Sequence, residues 1–546
     1  MQAQPPIEGL RSLPRKQVML TMAGVMMAMF LSALDQTIVG TAMPKIIADL
    51  NGFTHYTWVT TAYIVTSAVV MPIVGKLTDM HGRKPYYIGG LLIFTLGSLL
   101  SGLSQSMTEL IFFRALQGVG AGVIMANSFT VIGDLFPPAE RGKYQGLISG
   151  VFGLAAIIGP TLGGFITDTV SWHWIFFVNV PLGLLVITLF WFFFPHFQTS
   201  RTSHQVDFMG MAFLSLTVVP LLLALSLGGT EWAWNSPTSF GLFGLAAIML
   251  YLFLRQESRA KEPIIPLSLY SYRIVTISQI VVFFTAFGMF GSIIFIPLFF
   301  QGVLGVSATI SGSFLVPMML GQVSGSFLSG QLLSRAGGRY RIQGAAGLII
   351  MATGMFLASQ MSPATAYGSA VAIIVIIGFG LGITMPLYTI ISQNAVPHKM
   401  LGVASSSIPF ARSIGGAVGL ALFGAILNGR FASDLAARLP DSVKNVVPAA
   451  QLNALSQNPE ALVSSGAQAQ LQTQLAQLGP TGNGIYNQLI TALKGALSVG
   501  LNEVFLIGFF IIIAALVVHL FIKEIPLRKT HAHADDTIKP VVENVK

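Results

Sequence analysis

A chain of 546 residues that is 53% hydrophobic and only 9% charged lacks the roughly one-quarter charged content with which a soluble domain covers itself. There is no cysteine, which excludes disulfides and thiolate metal sites. The formal charge of +9 needs an account that does not invoke nucleic acid, because a chain this apolar belongs in a bilayer.

Apolar stretches of about 18 to 26 residues, each able to cross a hydrocarbon core of roughly 30 Å as a helix, recur at 18–43, 56–75, 86–104, 109–135, 144–168, 174–194, 207–228, 238–254, 274–299, 311–333, 342–358, 366–394, 400–427 and 498–522. They predict an all-α integral membrane protein of about fourteen transmembrane helices. Arg11, Arg15 and Lys16 before the first span suggest a signal peptide. The span is too long for one, contains Asp35 and lacks a small-residue cleavage site, so it is read as the first membrane helix. With the N-terminus inside, the inner connections hold roughly 22 Lys and Arg and the outer ones roughly 5, so both termini are expected in the cytoplasm, and the membrane expected is the cell (inner) membrane. Arg255, Arg259, Lys261 and Arg273 then lie along inner connections beside anionic headgroups, so the lipid bilayer accounts for the positive balance. Three blocks follow: six helices in 1–195, two linker helices in 196–272, and six more in 273–546, with one long outer loop at 429–497. That loop is rich in Gln, Ala and Asn, with Leu471, Leu475 and Leu478 at helical spacing. It reads either as amphipathic helices lying over the outer surface or as a lid or partner site.

Polar residues interrupt these apolar spans at a few places. Near the end of the first stands Leu34, Asp35, Gln36, Thr37, Ile38, Val39, followed by Ala42, Met43 and Pro44. An ionised Asp35 is expensive in hydrocarbon, and a carboxyl that can be neutral or charged there can carry a proton; a permanently paired structural Asp is the alternative. After the second span comes Gly75, Lys76, Leu77, Thr78, Asp79, Met80, His81, Gly82, Arg83, Lys84, and the second half repeats it as Gly330, Gln331, Leu332, Leu333, Ser334, Arg335, Ala336, Gly337, Gly338, Arg339. Gly75 aligns with Gly330, Asp79 with Ser334, Gly82 with Gly337 and Lys84 with Arg339, the mark of a duplicated bundle. The fourth span holds Arg114, Gln117 and a run from Gly118 to Gly122. No strand precedes that run and no ribose-binding acid follows it, so a dinucleotide site is excluded. Small residues there, and at Gly378, Gly380, Gly382, Gly415, Gly416 and Gly419, allow close helix approach. The fifth span carries Gly159, Pro160, Thr161, Leu162, Gly163, Gly164, and the sixth opens Trp172, His173, Trp174 with Asn179 and Pro181 following.

The repeated loop resembles the signature G-x-L-x-D-x-x-G-R-K of the major facilitator superfamily. The first, fourth, fifth and sixth segments resemble motifs of its fourteen-helix drug:proton antiporter (DHA2-type) branch. His173 stands where that branch usually has Arg, and Met80 where the signature usually has a basic residue. The resemblance implies the major facilitator fold, two six-helix bundles plus two inserted helices, working as a proton-coupled exporter of small amphiphilic drugs. It implies proton coupling at Asp35 with Arg114, although Arg114 is equally satisfied by carbonyls and Gln117 in helix packing. A gate is implied at Gly75, Asp79, Gly82, Arg83, Lys84 and Asp134, where Asp79 caps a helix of the other bundle; from sequence alone Asp79 reads equally as a surface acid. Gly159, Pro160, Gly163 and Gly164 form the antiporter motif, expected either to bend the helix against a leak or to pack closely.

Candidate cavity contacts are Gln117, Gln322, Gln393, Asn394, Arg412 and Glu503, the last either binding substrate or reaching outward. Met289, Phe290, Phe295, Phe299, Met318, Met319 and Tyr388 are candidates for a flexible apolar wall. The proton is the only coupling ion expected; no cofactor, no metal and no nucleic acid are, and a monomer is. Nothing resembles a catalytic nucleophile–base pair or a phosphate loop. Two other readings stay open: the same fold exporting a lipid or anionic metabolite, suggested by Arg114 and Arg412 against one deep acid, and a transport-inactive sensor or scaffold using the outer loop.

Overall fold

A computed structural model describes residues 14–50, 56–195, 205–229, 231–306, 315–335, 339–448, 451–452, 455, 472–475 and 480–528. Among the described residues, fourteen long helices follow one another. The first six are α1 (Arg15–Leu50), α2 (Tyr56–His81), α3 (Arg83–Leu103), α4 (Met107–Leu135), α5 (Pro138–Thr169) and α6 (Trp174–Phe193), the last with a turn at Val178. Next come α7 (Phe208–Leu227) and α8 (Pro237–Glu257). The chain then forms α9 (Arg273–Leu298), α10 (Leu315–Arg335), α11 (Tyr340–Ala358), α12 (Tyr367–Ala395), α13 (Leu401–Arg438) and α14 (Pro480–His519). No strand occurs among the described residues.

Local chemistry starts these helices where the sequence breaks. Ser106 accepts from Glu109 N (3.3 Å) while Glu109 reaches back to Gln105 N (2.8 Å), a reciprocal cap on α4. Asp207 caps α7 through Gly210 N and Ser236 caps α8 through Ser239 N. Pro138 and Pro237 occupy first-turn positions that need no amide donor.

Thirteen of the helices are long and apolar enough to span a membrane. The exception is α10, the helix at the span expected over 311–333. Gln322, Ser324, Ser326, Ser329 and Gln331 lower its hydropathy, and it packs between α5 and α12. There Ser326 and Ser329 donate to the Gly382 and Ile383 carbonyls (2.8 and 3.1 Å). Residues 311–314 lie outside the described residues.

Helices α1 to α6 pack on one another, as do α9 to α14; α7 and α8 pair together, and α7 lies against α2 and α13. The two sets meet through α5 on α10 and α2 on α13. At the end carrying residues 75–84, the loop end, backbones nearly touch. A methyl on Gly142 would fall 2.6 Å from the Gly330 carbonyl oxygen, and one on Gly75 would fall 2.8 Å from that of Gly402.

The described residues of 429–497 are largely helical. α13 continues to Arg438 and α14 begins at Pro480, because Ala- and Leu-rich sequence keeps helix propensity after membrane hydropathy ends. Leu435, Leu439, Val443, Leu475, Ile485 and Leu489 are buried together with the main core. Within 429–497, the described residues include the ends of α13 and α14, a short helix at Asp441–Lys444 and helical residues at 451–452 and 472–475; Leu471 and Leu478 lie outside the described residues.

A methyl on Gly120 would fall 2.7 Å from the Gly90 carbonyl oxygen where α4 meets α3, whereas Gly89 faces open space. Gly120→Val should destabilise by about 1–3 kcal/mol through overpacking, and Gly89→Ala should be near neutral. Thermal unfolding in detergent checks this; equal midpoints for the two variants would contradict the packing.

Candidate functional site

The first half buries one carboxylate at the centre of a polar cluster. Asp35 on α1 is fully buried. Its Oδ2 accepts from Arg114 Nη1 (2.5 Å), and its Oδ1 accepts from Gln117 Nε2 (2.8 Å) and Asn179 Nδ2 (2.9 Å). Arg114 and Gln117 are three residues apart on α4, so one helix face carries both, and Arg114 Nη1 also donates to Gln117 Oε1 (2.6 Å). The guanidinium lies 4.3 Å from the Tyr63 ring centroid and 5.8 Å from that of Phe176, a cation–π setting that stabilises charge away from water. Tyr63 OH lies 3.1 Å from Ser32 Oγ. Asn179 also donates to Ser98 Oγ (3.0 Å), which donates to the Phe176 carbonyl (2.9 Å).

The sequence pairs Asp35 with Arg114 but places Gln117 in the cavity rather than in this cluster, and it does not single out Asn179, Tyr63 or Ser98 as members. The polar Asn179 in the apolar run after Trp174 was the available signal. Beside the cluster, α5 comes close to α1: a methyl on Gly159 would strike Thr37, and one on Gly163 would fall 3.0 Å from the Ile38 carbonyl oxygen. Thr37 donates to the Ala155 carbonyl (3.1 Å). Pro160 sits inside an unbroken α5 and Gly164 faces open space, so only two of the motif's glycines serve this approach. His173 stacks on Trp172 with ring centroids 3.7 Å apart, and burial pushes its imidazole below its ordinary range.

A second cluster lies at the loop end. Met400, the residue before α13, gives no side-chain cap. The free amides of Gly402 and Val403 donate instead to Asp79 Oδ1 (2.9 Å) and Oδ2 (3.0 Å) from the other half, a charge-assisted cap at a helix N-terminus. Arg83 bridges Asp79 (2.6 Å) and Asp134 (3.0 Å), and His398 Nε2 lies 3.3 Å from Asp134 Oδ1. Gly82, with φ 91°, makes the tight joint between α2 and α3. Met80 is buried. Lys84 is not in this chain of charges; its Nζ donates to the Trp191 (2.9 Å) and Phe194 (3.2 Å) carbonyls at the end of α6. In the repeated loop, Gly330 packs on Gly142, while Ala336 to Gly338 lie outside the described residues.

The other cavity candidates separate by depth. Gln322 donates to Met385 Sδ (3.0 Å) midway along α10. Arg412 stands about 16 Å along α13 from its loop-end start, half-buried and with no ion-pair partner among the described residues. Gln393 and Asn394 are not at mid-depth, because α12 ends at Ala395. Gln393 accepts from Arg141 Nη1 (3.0 Å) and donates to the Phe129 carbonyl (3.0 Å), bracing the two halves. Asn394 holds the chain at Pro526 and Arg528 (3.3 and 3.1 Å). Glu503 pairs with Arg430 (3.0 Å) toward the far end, both partly exposed. Phe295, Phe299, Met318 and Tyr388 are buried in the core rather than lining an opening, whereas Met289 and Phe290 are partly exposed.

The Major Facilitator Superfamily model matches residues 25–420. The chain is 39% identical over 521 residues to the Multidrug transporter protein MdtP of Bacillus subtilis, covering 95% of each. It is 36% identical over 512 residues to Multidrug resistance protein 3 of the same organism, covering 93% of this chain and 95% of the relative. Among solved structures, the human organic anion transporter MFSD10 superposes with a TM-score of 0.57 at 13% identity, over 93% of this chain and 100% of that one. The proton:xylose symporter XylE superposes with a TM-score of 0.56 at 12% identity, over 94% and 97%; at such identities both speak to the fold alone. Repeated loop, helical architecture and sequence agree: the chain belongs to the major facilitator superfamily, as a multi-pass membrane transporter and not an enzyme.

Proposed function

We propose that the protein exports small amphiphilic compounds, drugs among them, in exchange for protons. The observation that carries this reading is the Asp35 carboxylate, buried among three donors with no water-exposed surface. Such a group holds its charge only while those donors face it, so its proton occupancy is tied to the arrangement of α1, α4 and α6. The names of the similar B. subtilis proteins support the cargo class.

In this reading bundles 1–195 and 273–546 rock about a midplane site, with 196–272 carrying the inserted pair, in a cell (inner) membrane with both termini cytoplasmic. Contacts at the loop end then hold the inner gate shut, leaving the outward-facing state. One proton moving down about 100 mV and one pH unit releases about 3.7 kcal/mol, a gradient of roughly five-hundredfold. A monovalent cation exchanged one for one cancels the electrical part, and the pH difference alone drives it. Arg412, at mid-depth and without an ion-pair partner among the described residues, favours a second reading, export of an anionic or lipid-like compound. A panel of cationic, neutral and anionic amphiphiles in inverted vesicles separates the two.

Asp35→Asn should abolish gradient-driven export while expression stays near normal, because an amide cannot cycle a proton. Full pH-dependent transport by the variant would remove the assignment.

Asp79→Asn weakens the cap on α13 and the pair with Arg83, and should shift the population toward the inward-open state by ten- to a hundredfold, for about 1.4–3 kcal/mol lost. Labelling of Ser326→Cys, buried between α5 and α12 and free of thiol background in this cysteine-free chain, should rise accordingly. Unchanged labelling with transport lost would assign Asp79 to folding instead.

A further inference from the structure

The Asp35 carboxylate is connected to the backbone of α6 through a single side chain. Asn179 Nδ2 carries two hydrogens, and both are used: one toward Asp35 Oδ1 (2.9 Å), one toward Ser98 Oγ (3.0 Å). Ser98 passes its own hydrogen to the Phe176 carbonyl (2.9 Å). Asp35, Asn179 and Ser98 are all buried. The chain thus runs from α1 to α6, across to α3, and back to α6 one turn earlier, on the other side of the turn at Val178.

Every donor in this chain points toward the carboxylate or away from Asn179, which suits an ionised Asp35 alone. A protonated carboxyl is itself a donor and needs an acceptor. Arg114 has none to give. Gln117 Oε1 already accepts from Arg114 (2.6 Å). Asn179 already lies 2.9 Å from the Asp35 carboxylate through Nδ2, and turning its amide over would present Oδ1 there as an acceptor.

We propose that Asn179 is the positioning residue that converts protonation of Asp35 into a change at α6, by turning its amide over. The inference rests on the proton-coupling reading given under Proposed function. With the proton on Asp35 Oδ1, Asn179 Oδ1 swings to accept the carboxylic O–H and the Ser98 O–H together. Ser98 then releases the Phe176 carbonyl, and α6 loses a tie to α3 beside Val178. No bond other than the O–H on Asp35 is made, and that proton stays on the carboxyl until it ionises again. The other charged or titratable groups facing Asp35 are Arg114 from α4 and Tyr63 from α2. The charged residues of α3 and α5 lie toward their ends, and α6 has none.

The test is an infrared titration of the purified full chain in detergent, following the protonated-carboxyl stretch that Asp35→Asn removes, alongside the pH profile of tetraphenylphosphonium transport in inverted vesicles. Asn179→Leu removes a donor to the ionised form, so the titration midpoint should move up by about one pH unit, tenfold in proton concentration. Ser98→Ala cuts the relay beyond Asn179 and should leave the midpoint in place while flattening the pH dependence of transport. If Asn179→Leu is not monodisperse, Asn179→Ser, which keeps a shorter donor, should give a smaller upward shift. An unmoved midpoint in the folded Asn179 variants, or a wild-type pH profile in Ser98→Ala, overturns the role of Asn179 and leaves proton coupling standing. A wild type with no titrating carboxyl overturns both.

Discussion

Asp35 carries an ionisable group into an interior where an unpaired charge costs several kcal/mol, and four helices are arranged around meeting that cost. Arg114 and Gln117 come from α4, Asn179 from α6, and the Tyr63 ring from α2 covers the guanidinium. The pair is self-compensating only while both members are present and the donors stay in place. Its stability is therefore conditional on the relative placement of α1, α4 and α6.

The loop end meets a different constraint. A helix start leaves amides without partners, and α13 begins after a residue that offers no cap. Asp79 supplies the cap from the other half, so completing α13 and joining the halves are one event. Arg83 holds Asp79 from behind and links it to Asp134. Gly142 against Gly330, and Gly75 against Gly402, let the backbones come near enough for that bond to form. The repeat aligns Gly75 with Gly330, so the two approaches are internal copies, but only the first copy carries an acid at the capping position.

The sequence made most of the fold readable, because hydropathy acts over whole spans. The helices that it blurred are those with two environments: α10 is polar because it packs between α5 and α12, and α13 and α14 outrun their apolar spans. At the site, Asp35, Arg114 and Gln117 stood out as polar groups in apolar helices. Asn179 is equally polar in an apolar run, but its partnership with Asp35 spans 144 positions and is set by packing. Gln393 and Asn394 stand elsewhere than expected for the converse reason: polar residues near the end of α12 meet backbone and the facing half, while Glu503, left open between cavity and outside, pairs with Arg430. Lys84 was carried along with its loop motif, yet it completes the end of α6.

The central claim, that cargo and a proton compete through the Asp35 cluster, is tested most directly by following proton release when cargo binds. Tetraphenylphosphonium added to the purified protein in lightly buffered detergent should release about one proton per chain, near the pH at which half the Asp35 carboxyls are protonated. The same addition to Asp35→Asn should release none. Saturable binding to the wild type without proton release at any pH would contradict the account.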